Sequence, residues 1–392
     1  MSALPNSLHI LQSLIRCPSV TPEEAGALAY LEGILGAAGF ACHRLRFAAP
    51  DMPEVDNLFA RFGTGKPHFC FAGHADVVPP GDDALWSHPP FAAEVADGRV
   101  YGRGASDMKG PLAAFAAAAI DFVTEKGPEF SGSVSLLVTC DEEGPSVNGT
   151  AKVMAWLAES GQVPDHCVVG EPTSSEDLGD AIKIGRRGSV HFTITSTGIQ
   201  GHTAYPQFAD NPVPKLARLI DRVASAALDA GTEHFEPSTL AVTTFDVGNP
   251  ANNVIPAVAR AHFNIRFNSL HDAASLERWV MQQCDAVAAE LGGSFAVAMS
   301  ENADCFITEP GPLVEIVSAA VERETGRRPR LTTTGGTSDA RFIKSHCPVV
   351  EVGPTNATIH KADECITLAE LEGVTRIYRH LLEGYFEQTG GS

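Results

Sequence analysis

Four segments of this chain place acids or a histidine just after an apolar, strand-like run. They are "FAGHADVVP" with His74 and Asp76, "YGRGASDMKG" with Asp107, "VTCDEEG" with Glu142 and Glu143, and "VVGEPTS" with Glu171. A fifth, "NATIHKADE", brings His360 much later. Ligands of open α/β sheets gather outside the carboxyl ends of the strands, so five segments can converge on one pocket. Taken singly each signal is weak, because a lone His or Asp in a loop is most often a solvated surface group; the repeated placement carries the argument. Imidazole with carboxylate suits Zn2+, Mn2+ or Co2+ better than thiol-seeking metals. His74-x-Asp76 reads as a ligand whose other ring N–H is held by a carboxylate, which fixes the tautomer and raises basicity. Charge balance favours two cations: Asp107, Glu143 and Glu171 bring three negative charges and a hydroxide a fourth. Two metals about 3.5–4 Å apart are the usual arrangement for metal-assisted hydrolysis.

Competing chemistries fit less well. No G-x-S-x-G elbow occurs. Cys140 lies beside three carboxylates, which should raise its pKa and make it a poor nucleophile. "YGRGASDMKG" is glycine-rich but is neither G-x-G-x-x-G nor a Walker motif, and its glycines are expected to let the chain bend close to the metals at Asp107. Asp141, the first of three adjacent acids, has no chemical role in this reading and is expected to be solvated or structural.

The elements that must position these groups are those of a two-domain α/β protein. At 392 residues the chain is long for one core. "HFCFAGHADVVPP" reads as a buried strand, His68 to Ala72, breaking into a loop, and "GPLAAFAAAAIDFV" as an Ala-rich helix with Pro111 near its start. "SGSVSLLVTC" and "DHCVVGEP" read as further strands, the latter ending at Glu171. Thr21 to Gly39 has helical spacing, with Thr21 as N-cap and Pro22 at the first helical position. Strands alternating with helices imply a mostly parallel sheet covered on both faces. Near Ile182 the pattern changes: "SVHFTITSTG", "LAVTTFDVG" and "VARAHFNIRFN" alternate like half-exposed strands around a helical stretch at Val213 to Ala227. From about Ser294 α/β character returns, with a strand, a helix over Pro312 to Glu324, and "CPVVEVGP". The expected layout is a discontinuous α/β domain, 1–181 plus 294–392, interrupted by an α+β domain with an antiparallel sheet at 182–293.

The bulk numbers exclude several partners. Hydrophobic content of 44% with 19% charged residues is that of an ordinary globular protein. The net charge of -20 argues against nucleic acid or an anionic membrane surface. Nine scattered cysteines with no C-x-x-C pair read as thiols in a reducing compartment. "MSALPNSLHILQSLIRCPSV" lacks a basic segment followed by a long apolar core and reads as a first helix rather than a signal peptide. No apolar run approaches the roughly 20 residues of a membrane span. A cytoplasmic protein acting on a small molecule is expected.

The segments "AGHADVVPPGD", "VYGRGASDMKG", "DEEG", "VGEPTSS", "IGRRGSV", "GIQGHTAYPQFADNP", "NNVIP", "GGTSDARFI" and "GPTNATIHKADE" run in order from residue 72 to 364. In this series the chain resembles the M20 family of metallopeptidases and deacylases. "QGHTAYP", "GGTSDARF" and "NATIHKADE" are similar to the branch that removes succinyl groups from diaminopimelate. The resemblance implies a catalytic domain like that of zinc-dependent exopeptidases and an inserted lid and dimerisation domain. It implies two Zn2+ per subunit, with Co2+ able to substitute. His74 and Glu171 would hold one and Glu143 and His360 the other, with Asp107 bridging next to a cis peptide. Glu142 would be the general base and Asp76 the partner of His74. His202 of a homodimer built through 182–293 would reach the partner's site and stabilise the oxyanion. Arg186, Tyr205, Asn252, Asn253, Arg266, Gly336, Thr337, Ser338 and Asn356 would contact the substrate, the two arginines suiting carboxylates because the guanidinium fork is bidentate. The implied reaction is hydrolysis of N-succinyl-LL-2,6-diaminopimelate. Ala75 and Pro80 stand where the family commonly has Thr, and neither position supplies a ligand. Other M20 amidohydrolases that share the metal site are the competing enzyme class. A non-catalytic homologue would be expected to lack Glu142 or a ligand, and none is missing.

Overall fold

The computed structural model of the chain describes residues 6–389. The chain divides into two compact units: one runs up to Ile184 and includes Thr308–Thr332 and the chain from Ser338 on, and the other comprises Gly185–Ile307 with Thr333–Thr337. In chain order, the first unit begins with α1 (Ser7–Ile15), α2 (Ala27–Ala37), β1 (Ala41–Ala49), β2 (Met52–Phe62) and β3 (His68–His74). It continues with α3 (Lys109–Lys126), β4 (Ser133–Thr139), α4 (Thr150–Glu159), β5 (His166–Val169) and β6 (Ala181–Lys183). The second unit holds β7 (Gly188–Thr197), α5 (Pro212–Ala224), β8 (Thr239–Asp246), β9 (Val258–Phe267), α6 (Ala273–Leu291) and β10 (Ser294–Ala303). The first unit resumes with α7 (Pro312–Thr325), β11 (Arg330–Thr332), β12 (Val349–Glu351) and α8 (Leu368–Thr389).

The eight-stranded sheet of the first unit has the order β1-β2-β4-β3-β5-β12-β6-β11. It is parallel through its middle, from β4 to β12, and antiparallel along β1-β2-β4 and where β12 meets β6. The sheet is therefore mixed, with its parallel stretch where the strands are most apolar. Every residue of β3 and β4 is buried, as expected of central strands covered on both faces. Phe71 of β3 stacks on Phe115 of α3 with ring centroids 4.3 Å apart, and Tyr378 of α8 meets both edge-on. Such ring pairs add about 0.5–1.5 kcal/mol beyond the area they bury. Lys109, at the start of α3, is wholly buried and donates to the carbonyls of Leu14 and Cys17, closing the end of α1.

The second unit is a four-stranded antiparallel sheet, order β8-β9-β7-β10, with one face against α5 and α6. Val190, Phe192 and Ile194 alternate on β7, and with Phe263, Ile265, Leu216, Leu219 and Val280 they form its core. The opposite faces of β7 and β9 carry His191, Thr193, His262 and Asn264.

Two sequence expectations need correction. The helix expected from Thr21 begins at Ala27, because the residues before it are engaged elsewhere. Val20 bridges Val77, the Val77 N–H donates to Ser19 and the Thr21 N–H to Val77, which holds this stretch extended. Glu24 then takes the capping role, accepting from the N–H groups of Gly26 and Leu28. The return to the first unit falls at Thr308, not Ser294: β10 pairs with β7 from Ser294 to Ala303 and belongs to the antiparallel sheet. Of the N-terminal stretch read as a first helix, residues 1–5 lie outside the described residues and Ser7–Ile15 is helical.

Candidate metal centre

The carboxyl ends of β3, β4 and β5 carry the first three groups of the site. His74 is the last residue of β3, aligned with Thr139 of β4, and Glu171 follows β5 by two residues. Gly73 and Gly170 precede His74 and Glu171, and a side chain at either would collide with Met108, the residue after Asp107. The two glycines thus let the Asp107 turn lie directly on the strand ends. The Asp107–Met108 peptide is cis. His360, in the loop after β12, has a positive φ of 60°.

These groups converge. His74 Nε2 lies 3.4 Å from Asp107 Oδ1 and 3.9 Å from Glu171 Oε1. His360 Nε2 lies 3.3 Å from Asp107 Oδ2 and 2.9 Å from Glu143 Oε1. The two oxygens of Asp107 therefore face different imidazoles. Three overlapping sets, His74/Asp107/Glu171, Asp107/Glu143/His360 and His74/Glu142/Glu143, each offer ligand atoms within 4.8 Å of one another. His74, Asp107 and Glu171 are buried, Glu142 and Glu143 half-buried, and His360 exposed.

The donor set fits a cation. His74 Nδ1 lies 2.9 Å from the Asp76 carbonyl oxygen, an acceptor, so it carries the ring proton and Nε2 presents a lone pair toward carboxylate oxygens. Lone pairs face each other there unless a proton or a metal ion lies between them. Without a metal the histidines hold protons. Burial alone would pull the His74 pKa down, but Asp107, Glu142 and Asp76 hold it well above the ordinary value. Hydrogen bonds to Asp107 and Glu143 push His360 up to about 10. Asp107 is held below the carboxylate range despite its burial, by His360 and His74. The ligand atoms are all nitrogen and oxygen, as borderline and hard divalent cations prefer.

Asp76 serves the site differently from the sequence expectation. Its main-chain carbonyl, rather than its carboxylate, makes the short contact with His74; the nearest carboxylate oxygen is 3.7 Å away. The carboxylate accepts instead from the main-chain N–H groups of Glu142 and Glu143, at 3.4 and 3.1 Å, and so holds the acidic turn. Burial pushes Asp76 up to about 6. Glu142 is also raised well above the usual carboxylate range, first by burial and then by Glu171. Asp141 is structural: it is buried, and Oδ2 accepts the Asn148 N–H at 2.7 Å. Cys140 is wholly buried, and burial, more than Asp76 or Glu24, drives its thiol pKa up.

The remaining expected residues divide between the units. In the second unit His202 is exposed, and its Nδ1 accepts the Ala204 N–H at 3.0 Å, which leaves the ring proton on Nε2. Tyr205 lies edge-on to it at 5.8 Å, and Thr203 donates its N–H to the Asn253 carbonyl beside Asn252. Arg186 is buried and Nη1 donates to the Gly336 carbonyl, next to Thr337. Arg266 is half-buried on β9, and its pKa is lowered by burial and by Arg187, a neighbour that sequence reasoning passed over. In the first unit Ser338 is turned inward and donates its hydroxyl to the buried carboxylate of Glu351. Asn356 donates its N–H to the Ser174 carbonyl. Sequence reasoning also missed Arg103 and Glu364, whose only signal was their place inside the two quoted motifs around Asp107 and His360.

Residues 70–384 match Peptidase family M20/M25/M40. A protein of Rhodospirillum centenum named succinyl-diaminopimelate desuccinylase is 56% identical over 382 residues, covering 97% of this chain and 98% of that one. A protein of the same name from Parvibaculum lavamentivorans is 55% identical over 379 residues, covering 97% and 95%. Among solved structures, aminopeptidase PepT from Bacillus cereus has a TM-score of 0.77 at 20% identity, covering 97% of this chain and 99% of that one, a likeness of fold alone. The motifs that carry the converging acids and histidines lie inside the matched span, and the chain belongs to peptidase family M20/M25/M40.

Proposed function

We propose that the chain hydrolyses N-succinyl-LL-2,6-diaminopimelate to succinate and LL-2,6-diaminopimelate, a step of diaminopimelate and lysine biosynthesis. The observation that carries this reading is identity of 55–56% over nearly the whole length of relatives named for that activity. The family is metal-dependent, and the cluster around Asp107 is the candidate site. Two Zn2+, with Co2+ able to substitute, would suit this nitrogen and oxygen donor set: His74 and Glu171 would hold one ion and Glu143 and His360 the other, with Asp107 serving as a ligand in common. When bound, such a pair supplies Lewis-acid chemistry, acidifying water and polarising an amide carbonyl.

The protein's own groups do the rest. Glu142 takes a proton from the attacking water and passes it to the leaving amine, a role that favours a carboxyl with a raised pKa. Asp76 keeps Glu142 and Glu143 on their separate tasks by holding both main-chain N–H groups. His202 donates Nε2–H to the carbonyl oxygen as it gains charge, in the site of the partner subunit. Arg186 and Arg266, with Tyr205, Asn252, Asn253, Gly336, Thr337 and Asn356, orient the substrate, and the like charges of Arg187 and Arg266 favour an anionic group between them. Ser338 acts by shaping this loop through Glu351 rather than by touching substrate.

A homodimer through residues 182–293, which serve as lid and dimerisation domain, is supported by the edge strand β8, where Val242 and Phe245 are 38% and 41% exposed. A cytoplasmic location is supported by the nine cysteines, all free thiols. No described helix is long and apolar enough to cross a membrane. The deciding experiment is a turnover panel of N-succinyl and N-acetyl amino acids on zinc-reconstituted protein, with metal content measured alongside. Highest turnover on the succinylated diaminopimelate is expected; highest turnover on an acetylated substrate would overturn the specificity.

A further inference from the structure

The loop that carries Asp107 and the loop that carries His360 hold each other's main chain. Glu364, four residues past His360, is completely buried. Its Oε1 accepts the N–H groups of Ser106 and Asp107 at 3.0 Å each. Its Oε2 accepts the Gly104 N–H at 3.1 Å and Nη1 of Arg103 at 2.7 Å. Arg103, four residues before Asp107, is 2% exposed and reaches the other way. Nη1 donates to the Lys361 carbonyl at 3.2 Å and Nη2 to the His360 carbonyl at 3.5 Å. The Gly102 N–H adds a bond to the main-chain carbonyl of Glu364.

A carboxylate offers about four lone-pair sites, and Glu364 receives four donors, so it has no capacity left to ligate a metal itself. The pair is also neutral as a unit. It fixes the two loops without adding to the negative charge of Asp107, Glu143 and Glu171, which a lone buried acid would do. A buried ion pair is weak evidence for stability, since desolvation offsets much of the attraction. What this one supplies is geometry: it engages the main-chain N–H groups of Gly104, Ser106 and Asp107 on one loop and the carbonyls of His360 and Lys361 on the other, with the Pro79 carbonyl a further acceptor for Nη2 at 3.5 Å.

We propose that Arg103 and Glu364 form a positioning pair that sets the separation of Asp107 from His360 before any metal arrives. The proposal rests on the two-ion reading of the site. Groups that orient metal ligands typically change metal affinity 10- to 100-fold when removed. Metal-free wild type, Glu364→Gln and Arg103→Lys are each titrated with Co2+, followed by calorimetry and by the visible spectrum of the bound ion. Glu364→Gln puts an amide against N–H donors; Arg103→Lys keeps the charge but loses the fork that reaches two carbonyls. Wild type should take up two ions. Both variants, with far-ultraviolet dichroism of the wild type, should weaken at least one binding step by about 10- to 100-fold and alter the Co2+ spectrum. The double variant should be no worse than the worse single one, because the two residues act as one device. Wild-type affinities and spectrum in the folded variants would overturn the proposal even if melting temperature or turnover fell. Should Glu364→Gln fail to fold, Arg103→Lys decides by the same titration. A wild type that binds only one ion would overturn the two-ion reading first, and the positioning pair with it.

Discussion

Glu142 and Glu143 are neighbours in the chain with opposite situations. Glu143 puts Oε1 2.9 Å from His360, whereas burial and Glu171 press Glu142 toward its protonated form. Glu142→Gln should therefore keep its metal content and lose about 10²–10⁴-fold in turnover, the usual contribution of a positioned acid–base group. Near-normal turnover would sink the general-base role, and loss of metal would make Glu142 a ligand. The histidines make a second, pH-dependent prediction. Both have pKa values raised above the ordinary 6.5 in the metal-free protein, His360 to about 10. A raised folded pKa gives stability that is complete below the unfolded value and is lost as pH rises through the folded one. Metal-free protein should thus lose stability between pH 6.5 and 10, a loss that bound metal removes. By the same linkage, filling the site at neutral pH should expel protons from His74 and His360, and from Glu142, which must be ionised to act as a base. Calorimetry in two buffers of different ionisation heat counts them, and a count of zero would contradict both histidines as ligands.

At the level of elements, the site depends on how closely strands and turns approach. A Cβ at Gly353, just past β12, would lie 2.3 Å from the carbonyl oxygen of Glu171 and 2.8 Å from that of Gly170. Backbone cannot yield as a side chain can, so Gly353→Ala should cost roughly 1–3 kcal/mol and reduce metal occupancy by displacing Glu171. Gly33→Ala is the control: it lies in α2 with nothing within 4 Å, and should be neutral or up to about 1 kcal/mol stabilising. Equal melting curves and metal contents for the two would refute the argument. The strand ends were legible in the sequence because each is a run of apolar residues broken by a charged group, a local pattern. What stayed hidden is long-range. The start of α2 is set by the pairing of Val20 with Val77, and the membership of β10 by its register with β7, Met299 opposite Phe192 and Val297 opposite Ile194. An alternating strand shows that it is half-buried, not which sheet it will join. The work of the Asp76 carboxylate was hidden for the same reason, since its partners lie 66 and 67 residues away.

At the scale of the whole molecule, a chain of net charge -20 repels an acidic substrate at long range. Under the proposed function, recognition would be local, and Arg186, Arg187 and Arg266, all of the second unit, would be its cationic groups. That unit also carries His202, with Nδ1 already accepting from Ala204 and Nε2–H available as a donor. If His202 serves the partner's site, the reaction belongs to the dimer and not to one chain. In a two-fold dimer each copy would lend its His202 to the other. His202→Ala should then keep its metal and lose turnover, as Glu142→Gln does, yet the two defects should complement. In a mixed dimer, the His202→Ala copy supplies an intact Glu142 to a site that receives an intact His202 from the Glu142→Gln copy. Its other site carries both defects. With equal amounts and random exchange, half the dimers are mixed and each has one complete site, so about a quarter of wild-type turnover should return. The measurement is activity after mixing the two variants under conditions that allow subunit exchange, against each variant incubated alone. A residue acting within its own chain predicts no recovery, because no chain in the mixture carries both groups. Persistent inactivity in a mixture shown by tagged capture to contain mixed dimers would therefore move His202 back into its own subunit's site, or out of the mechanism.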